Sequence, residues 1–461
     1  MKPRIYLQME VKKRELDARI YFALKASLKN FSIVIGAKSK LFDNRNRMRK
    51  GIMLFKSLGR NNLNYIQIYK KLGFIVASLD EEAMMFFSHD EYIERIHTPC
   101  LKAMDIFFCW GKNDYEAIIK KFPDQIDKIY IIGNSRIDIL KKPLNQKYFD
   151  RAEKIKEKYG KFILVNTMFS KANNYQLTMN NQTYIESLIE DGYSPESVKV
   201  AYAKPYLKFQ QENLKLLKSF LINFSEKNPT EKIIIRPHPG EYSNMWLDFA
   251  KTAKNIKVII DDESTCSWLV AANKCVSSNC TTSLESYLLN KISANYKVYE
   301  NKDVEFKLPK LTSFNIEKDE ELTKFLKEDE NHKLDRDFIN SVIKKSIHNL
   351  GENECSVENF IECLNSNDLI KQKLLSFSTK DKFSNFFYSI LLNLYYYARS
   401  IYRKTFIKQD KILDLFIKRK FASIEKREIQ ETLDQYKDQL KIYNNINLKQ
   451  IYPQVFEIKE K

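Results

Sequence analysis

Short apolar runs alternate with helical stretches along this chain, and they do so in two separate series. Ile5–Met9, Ser32–Gly36, Gly51–Leu54, Phe74–Ser78, Ile106–Trp110 and Tyr130–Gly133 read as buried strands. Arg14–Leu28, Tyr65–Leu72 and Glu91–Met104 lie among them with helical patterning. Strand then helix, repeated, requires crossover connections, which make a sheet parallel and cover both of its faces. The pattern breaks at Lys141-Lys142-Pro143, where a charged helix, Tyr148–Tyr159, follows and stops at Gly160. A second series then begins: Phe162–Asn166, Ile233–Arg236, Val258–Ile260, Cys275–Ser277 and Ser293–Tyr296. Helices over Lys204–Glu226 and Thr282–Asn290 belong to it. The expected fold class is therefore α/β, with two Rossmann-like domains facing a cleft at the carboxyl ends of their strands, where ligands of such folds bind. Residues 1–145 and 146–350 form the two domains. Residues 351–461, basic and aromatic, form a helical extension. The stretch 170–200, rich in Asn, Gln, Tyr and Ser, reads as a loop or lid.

A chain of 461 residues with 44% hydrophobic and 30% charged residues has material for two cores. Its net charge of +18 is concentrated at the ends: residues 1–60 hold 16 Lys/Arg against 4 Asp/Glu, and residues 366–461 hold 19 against 11. Such ends attract anionic lipid or phosphorylated substrates, and the composition of an AT-rich genome is the alternative source. No nucleic-acid motif accompanies the charge, so nucleic acid is not an expected partner. The seven cysteines form no CxxC pair, which fits reduced thiols, with Cys100, Cys109 and Cys275 in the core. The opening MKPRIYLQMEV shows no signal-peptide pattern, and no apolar run is long enough to span a bilayer. A cytoplasmic protein is expected, peripheral at the inner membrane face if the basic N-terminal region and Phe383–Lys420 dock on anionic lipid. The alternative for Phe383–Ala398 is a helix packed on the core.

Three constellations sit just after strands. The first is Arg236-Pro237-His238-Pro239-Gly240-Glu241. Two prolines fix the backbone on both sides of His238, and an imidazole beside an arginine suits a phosphate, with Glu241 placed to accept ribose hydroxyls. A turn with a structural histidine is the alternative. The second is Ser277-Ser278-Asn279-Cys280-Thr281-Thr282-Ser283-Leu284-Glu285, a run of hydroxyls suited to an anion, or to helix capping alone. The third is Asp80-Glu81-Glu82-Ala83, where adjacent carboxylates raise one another's proton affinity toward that of a general base. Its alternative is a solvated helix start. Asn166 and Thr167 follow the first strand of the second series and are expected near the donor. Asp335-Arg336-Asp337 reads as a solvated face, and no metal site or cofactor is expected.

MEVKKRELDAR (9–19), KGIMLFKS (50–57), SLDEEA (78–83), FCWG (108–111), IIGNSRIDIL (131–140), YGKFILVNT (159–167), RPHPGE (236–241) and SSNCTTSLESYLLNK (277–291) together resemble bacterial surface carbohydrate biosynthesis proteins. More distantly the chain resembles GT-B sialyltransferases and related transferases of nonulosonic or octulosonic acids. These carry an acid-acid-Gly motif, then His-Pro and Ser/Thr motifs. The resemblance implies a nucleotide-sugar donor, in particular a CMP-linked one, and a glycan or lipid-linked glycan acceptor. It places the base at Glu81 or Glu82 and phosphate contacts at His238, Ser277, Ser278 and Thr282. Ala83 stands where that motif has Gly. Polyol-phosphate transferases of teichoic acid synthesis carry similar His-Pro and Ser/Thr patterns, and an epimerase of the same fold or a non-catalytic glycan- or membrane-binding protein are the other readings. The reaction expected is an inverting, metal-independent transfer.

Overall fold

In a computed structural model of the chain, residues 2–328, 333–376, 398, 421 and 423–461 are described. They divide into two compact units. Unit 1 comprises 1–84, 92–139 and 344–461, and unit 2 comprises 85–91 and 140–343. The boundary expected at 145 lies at 139/140. The stretch after 350, expected as a domain of its own, belongs to unit 1. Phe383–Ala398 and the region to Lys420, read as a lipid-docking or core helix, lie outside the described residues, Ala398 excepted.

Unit 1 is built on β1 (Arg4–Met9), β2 (Ser32–Ala37), β3 (Ile52–Phe55), β4 (Ile75–Leu79), β5 (Ile106–Cys109) and β6 (Ile129–Ile131), all parallel. Their order across the sheet is β2-β1-β3-β4-β5-β6. β1 to β5 are almost wholly buried, as unbroken apolar runs covered on both faces must be. The helix Lys12–Ser27 follows β1 and buries Leu16, Ile20, Phe22 and Leu24.

The C-terminal region has helices, Ser356–Ser366, Asp368–Ser376 and Lys426–Gln439, and it also ends in a hairpin. Its strands, β13 (Ile446–Tyr452) and β14 (Val455–Glu460), extend the sheet because β14 pairs antiparallel with β2. Val455, Phe456 and Ile458 are buried there, and Glu457 accepts from Arg4 at 2.5 Å and Ser32 at 2.7 Å. Asp138 holds the same region, accepting from Asn349 at 2.7 Å and from the Ser356 hydroxyl at 2.6 Å.

Unit 2 has six parallel strands: β7 (Ile163–Asn166), β8 (Ile233–Arg236), β9 (Ile256–Val258), β10 (Lys274–Ser277), β11 (Ser293–Tyr296) and β12 (Phe314–Ile316). Their spatial order, β9-β8-β7-β10-β11-β12, is that of the dinucleotide-binding Rossmann sheet. Ile163, Val165, Phe220, Ile235, Trp246 and Tyr296 pack in its core. The 170–200 stretch, expected as a loop, holds two short helices, Tyr175–Asn180 and Tyr184–Glu190. Each is started by its own N-cap, the first by Asn174 and the second by a Thr183/Glu186 capping box, and left-handed Asn181 ends the first. The next helix, Val198–Lys227, starts well before the expected Lys204, at a Ser197 cap, and runs through Pro205. Residues 85–91 join unit 2 by aromatic stacking: the Phe87 ring lies 4.5 Å from Phe306 and 5.4 Å from Tyr202.

All seven cysteines are free, with Cys100, Cys109 and Cys275 in the core as expected. Among the described residues no helix is long and apolar enough to cross a membrane.

Candidate functional site

The chain order of unit 2's strands reverses between β7 and β10, so the carboxyl ends of these two strands form its switch point, where open α/β sheets bind ligands. Strand register sets what lies there. Asn166 pairs with Ser277 on one side and Arg236 on the other, and Ser277 pairs with Asn295. One polar row, Arg236, Asn166, Ser277 and Asn295, therefore crosses the sheet edge at a spacing of about 4.8 Å between strands.

The hydroxyls after β10 are the unusual feature. Ser277 and Ser278 are 1% and 2% exposed, and the Ser277 Oγ, Ser278 Oγ and Thr282 Oγ1 atoms are buried with no hydrogen-bond partner. An unsatisfied buried hydroxyl costs about 1–3 kcal/mol, and three in six residues suit an oxyanion that accepts from them. Capping does not account for the run. Thr281, the N-cap of the short helix Thr282–Leu288, makes no side-chain cap bond, and Glu285 lies half-buried in its first turn. Asn279 has a structural job: with φ +50°, its side chain donates to the Val304 carbonyl at 3.0 Å and accepts from the Phe306 N–H at 2.8 Å.

His238, between Pro237 and Pro239, is half-buried. Its Nδ1 accepts the Gly240 N–H at 3.1 Å, which places the proton of the neutral ring on Nε2. Its own N–H donates to Thr167 Oγ1 at 3.1 Å. A Cβ on Gly240 would sit 3.2 Å from Nδ1, so the small residue permits this hold.

Two expectations for this segment are corrected. Glu241 does not present itself to ribose. It is 1% exposed, and its two oxygens accept from Thr167 Oγ1 (2.7 Å), Phe169 N (2.9 Å), Trp246 Nε1 (2.7 Å) and Asn173 Nδ2 (3.4 Å), which occupies its lone pairs. Burial raises its pKa against those donors. Arg236 is likewise committed: Nη2 lies 2.6 Å from Asp261 and donates to the Glu263 carbonyl, and the guanidinium stacks 5.0 Å from the Trp268 ring. Both residues shape the loop that carries His238.

In unit 1 the three acids have three different environments. Asp80 is 4% exposed, accepts the Glu82 N–H at 3.0 Å, and its pKa is raised, by burial first, with Arg95 opposing. Glu81 is also buried, but Arg19 at 2.7 Å and then Arg136, Lys56 and Arg14 outweigh its burial and lower its pKa. The Glu82 side chain is 66% exposed and 3.8 Å from Arg95. Mutual repulsion, the expected influence, is thus not the leading one at either Asp80 or Glu81. The backbone at Ala83 is not left-handed, so nothing in this turn requires glycine. Asp114, missed in the sequence, accepts from the Trp110 and Gly111 N–H groups at 2.8 and 2.9 Å. Burial nonetheless pushes its pKa up to about 7. Its place beyond a strand end was the available signal.

No protein-family model matches the sequence, and no curated protein matches it. Solved structures do resemble the fold. The UDP-GlcNAc 2-epimerase of Methanocaldococcus jannaschii, in complex with UDP-GlcNAc and UDP, aligns at 14% identity and a TM-score of 0.48, over 80% of this chain and 100% of that one. The Neisseria meningitidis UDP-GlcNAc 2-epimerase aligns at 11% and 0.47, over 80% and 100%. The wall teichoic acid polymerase TagF aligns at 12% and 0.43, over 81% and 89%.

Proposed function

We propose that the chain is a nucleotide-sugar-dependent glycosyltransferase of GT-B type, acting in surface polysaccharide synthesis. Unit 2 holds the donor phosphate, with Ser277, Ser278 and Thr282 donating from one side of the switch point and His238 Nε2 from the other. The carrying observation is the trio of buried, partnerless hydroxyls at the switch point of a Rossmann-ordered sheet. These donors stabilise charge on the leaving phosphate without a metal. Asn166 ends the strand between the two groups, and Thr167, just after it, positions His238. A transfer also needs a base for the acceptor hydroxyl. Of Asp80, Glu81 and Glu82 we assign it to Asp80, whose proton affinity is raised by burial, whereas arginines hold Glu81 ionised. A CMP-linked acidic sugar is the donor proposed, with a glycan or lipid-linked glycan as acceptor.

The test is turnover by purified protein of CMP-, UDP-, GDP- and CDP-linked donors, with and without glycan acceptors. Transfer from one nucleotide class, lost in His238→Ala, is the expected result. Failure to bind any nucleotide donor, or full activity of His238→Ala, overturns it. Conversion of a donor without acceptor identifies an epimerase instead.

A further inference from the structure

Two stretches of the family resemblance, FCWG (108–111) and the GNSR of 133–136, take no part in the donor site. They follow β5 and β6, and a returning stretch of chain, 345–349, crosses both. The His348 N–H donates to the Trp110 carbonyl at 2.8 Å. Asn349 accepts the Asn134 N–H at 3.0 Å and donates to the Asn134 carbonyl at 3.0 Å. This approach requires both glycines. A Cβ on Gly111 would lie 2.5 Å from the Ser346 backbone, and one on Gly133, where φ is +82°, would overlap the Asn349 side chain.

Each of the two turns passes its hold on to one acid. Trp110 is fixed at its N–H by Asp114 (2.8 Å) and at its carbonyl by His348, and its indole Nε1 donates to the Asp80 carbonyl at 2.6 Å. Asn134 Oδ1 caps the Ser135–Asp138 helix at the Arg136 N–H (2.9 Å), while its Nδ2 donates to Glu81 Oε2 at 3.4 Å. Asp80 Oδ1 in turn accepts the Glu82 N–H at 3.0 Å, and the Asp80 carbonyl accepts that of Ala83 at 3.4 Å. Trp110 and Asn134 are each 1% exposed, so they act on a ligand only through the residues they hold.

We propose that Trp110 and Asn134, themselves fixed by the 345–349 crossing, are positioning residues for the acid turn at 80–82: Trp110 through the Asp80 carbonyl and Asn134 through the Glu81 carboxylate. This rests on the reading of that turn as the source of the general base. A base must stay within hydrogen-bond reach of the hydroxyl it deprotonates, and a misplacement of about 1 Å can cost about 100-fold in rate. The two resembling stretches then serve the acids without touching substrate.

The test uses the full-length chain and two mild substitutions. Trp110→Phe keeps a ring and removes the indole N–H, and Asn134→Ser keeps a capping oxygen and removes the donor to Glu81. Amide hydrogen exchange of residues 80–84, followed by mass spectrometry without ligand, is expected to speed up by about tenfold in each, as one lost buried hydrogen bond would cause. In the donor-panel assay kcat is expected to fall by about tenfold or more at unchanged donor KM. Unfolding midpoints confirm that the variants are folded. Wild-type exchange in both folded variants overturns the proposal whatever the rate. Faster exchange with unchanged kcat, while Asp80→Asn is inactive, overturns it too. Wild-type transfer by Asp80→Asn, or no transfer by the wild-type chain, counts against the proposed function instead, and exchange alone then decides whether the two residues hold the turn.

Discussion

The two units solve the same architectural problem with opposite chemistry. Each has a run of parallel strands with a switch point at their carboxyl ends, and in unit 1 an antiparallel hairpin extends the sheet. By sequence, the residues of unit 1 hold 46 Lys/Arg against 29 Asp/Glu, whereas those of unit 2 hold 31 against 30. Both basic ends of the chain fall in unit 1, which therefore carries nearly the whole net charge. Its switch point is lined by ion pairs, and that of unit 2 by small uncharged hydroxyls and a neutral-tautomer histidine hold. A hydroxyl donates without the desolvation cost of a buried cation, so unit 2 can enclose a phosphate closely. The cations of unit 1 are paired instead with carboxylates of the same chain.

The comparison is broken most directly at His238. Replacing it with Ala is expected to lower the transfer rate by about 100-fold or more, the usual cost of one oxyanion donor, with little change in unfolding midpoint. A rate drop matched by unfolding would make the residue structural. The next largest effect is on stability. Glu241→Ala strands three donors in unit 2, Thr167 Oγ1, Phe169 N and Trp246 Nε1, and is expected to cost about 3 kcal/mol or more in urea unfolding. A loss of under about 1 kcal/mol would show that Glu241 is dispensable to the loop.

Acid–base behaviour sharpens the contrast further, since the shifted carboxyls that follow are in unit 1. Asp114 binds its proton more tightly folded, at about 7, than at its ordinary 3.8. Its contribution is therefore complete below about pH 4 and is lost as pH rises toward 7. Glu10 runs the other way: held near 2 against an ordinary 4.5, it contributes above about pH 4.5 and loses that contribution as pH falls toward 2. Asp114→Asn is expected to flatten the decline in urea midpoint between about pH 4 and 7. An unchanged profile would mean that the N–H groups of Trp110 and Gly111 keep the carboxylate ionised. The smallest effect is expected from Gly240→Ala, whose methyl crowds His238 Nδ1 and should raise the donor KM a few-fold, about 1 kcal/mol.

The sequence by itself determined the two α/β series, because an apolar run buried on both faces has a local signature that needs no partner to be read. The expected β1 to β8, β10 and β11 lie within a residue or two of their places, and β9 is shifted by two. It also singled out His238 and the Ser277–Thr282 run, since prolines and clustered hydroxyls are visible in one dimension. Only the tertiary structure decided the rest. The three-residue β12 and the half-exposed β13 are strands because of their neighbours, and the C-terminal hairpin exists as part of a sheet begun over 400 residues earlier. Whether a polar residue is available to a ligand was equally illegible. Glu241 and Arg236 look like ligand contacts in sequence, but Trp246, Thr167 and Asp261 occupy them in space. The hydroxyls of Ser277, Ser278 and Thr282 read in sequence as an anion site or as caps, and only packing shows that they have been left without partners. Hydrogen-bond satisfaction and charge balance are properties of what surrounds a group, and strand register, not chain order, sets those surroundings.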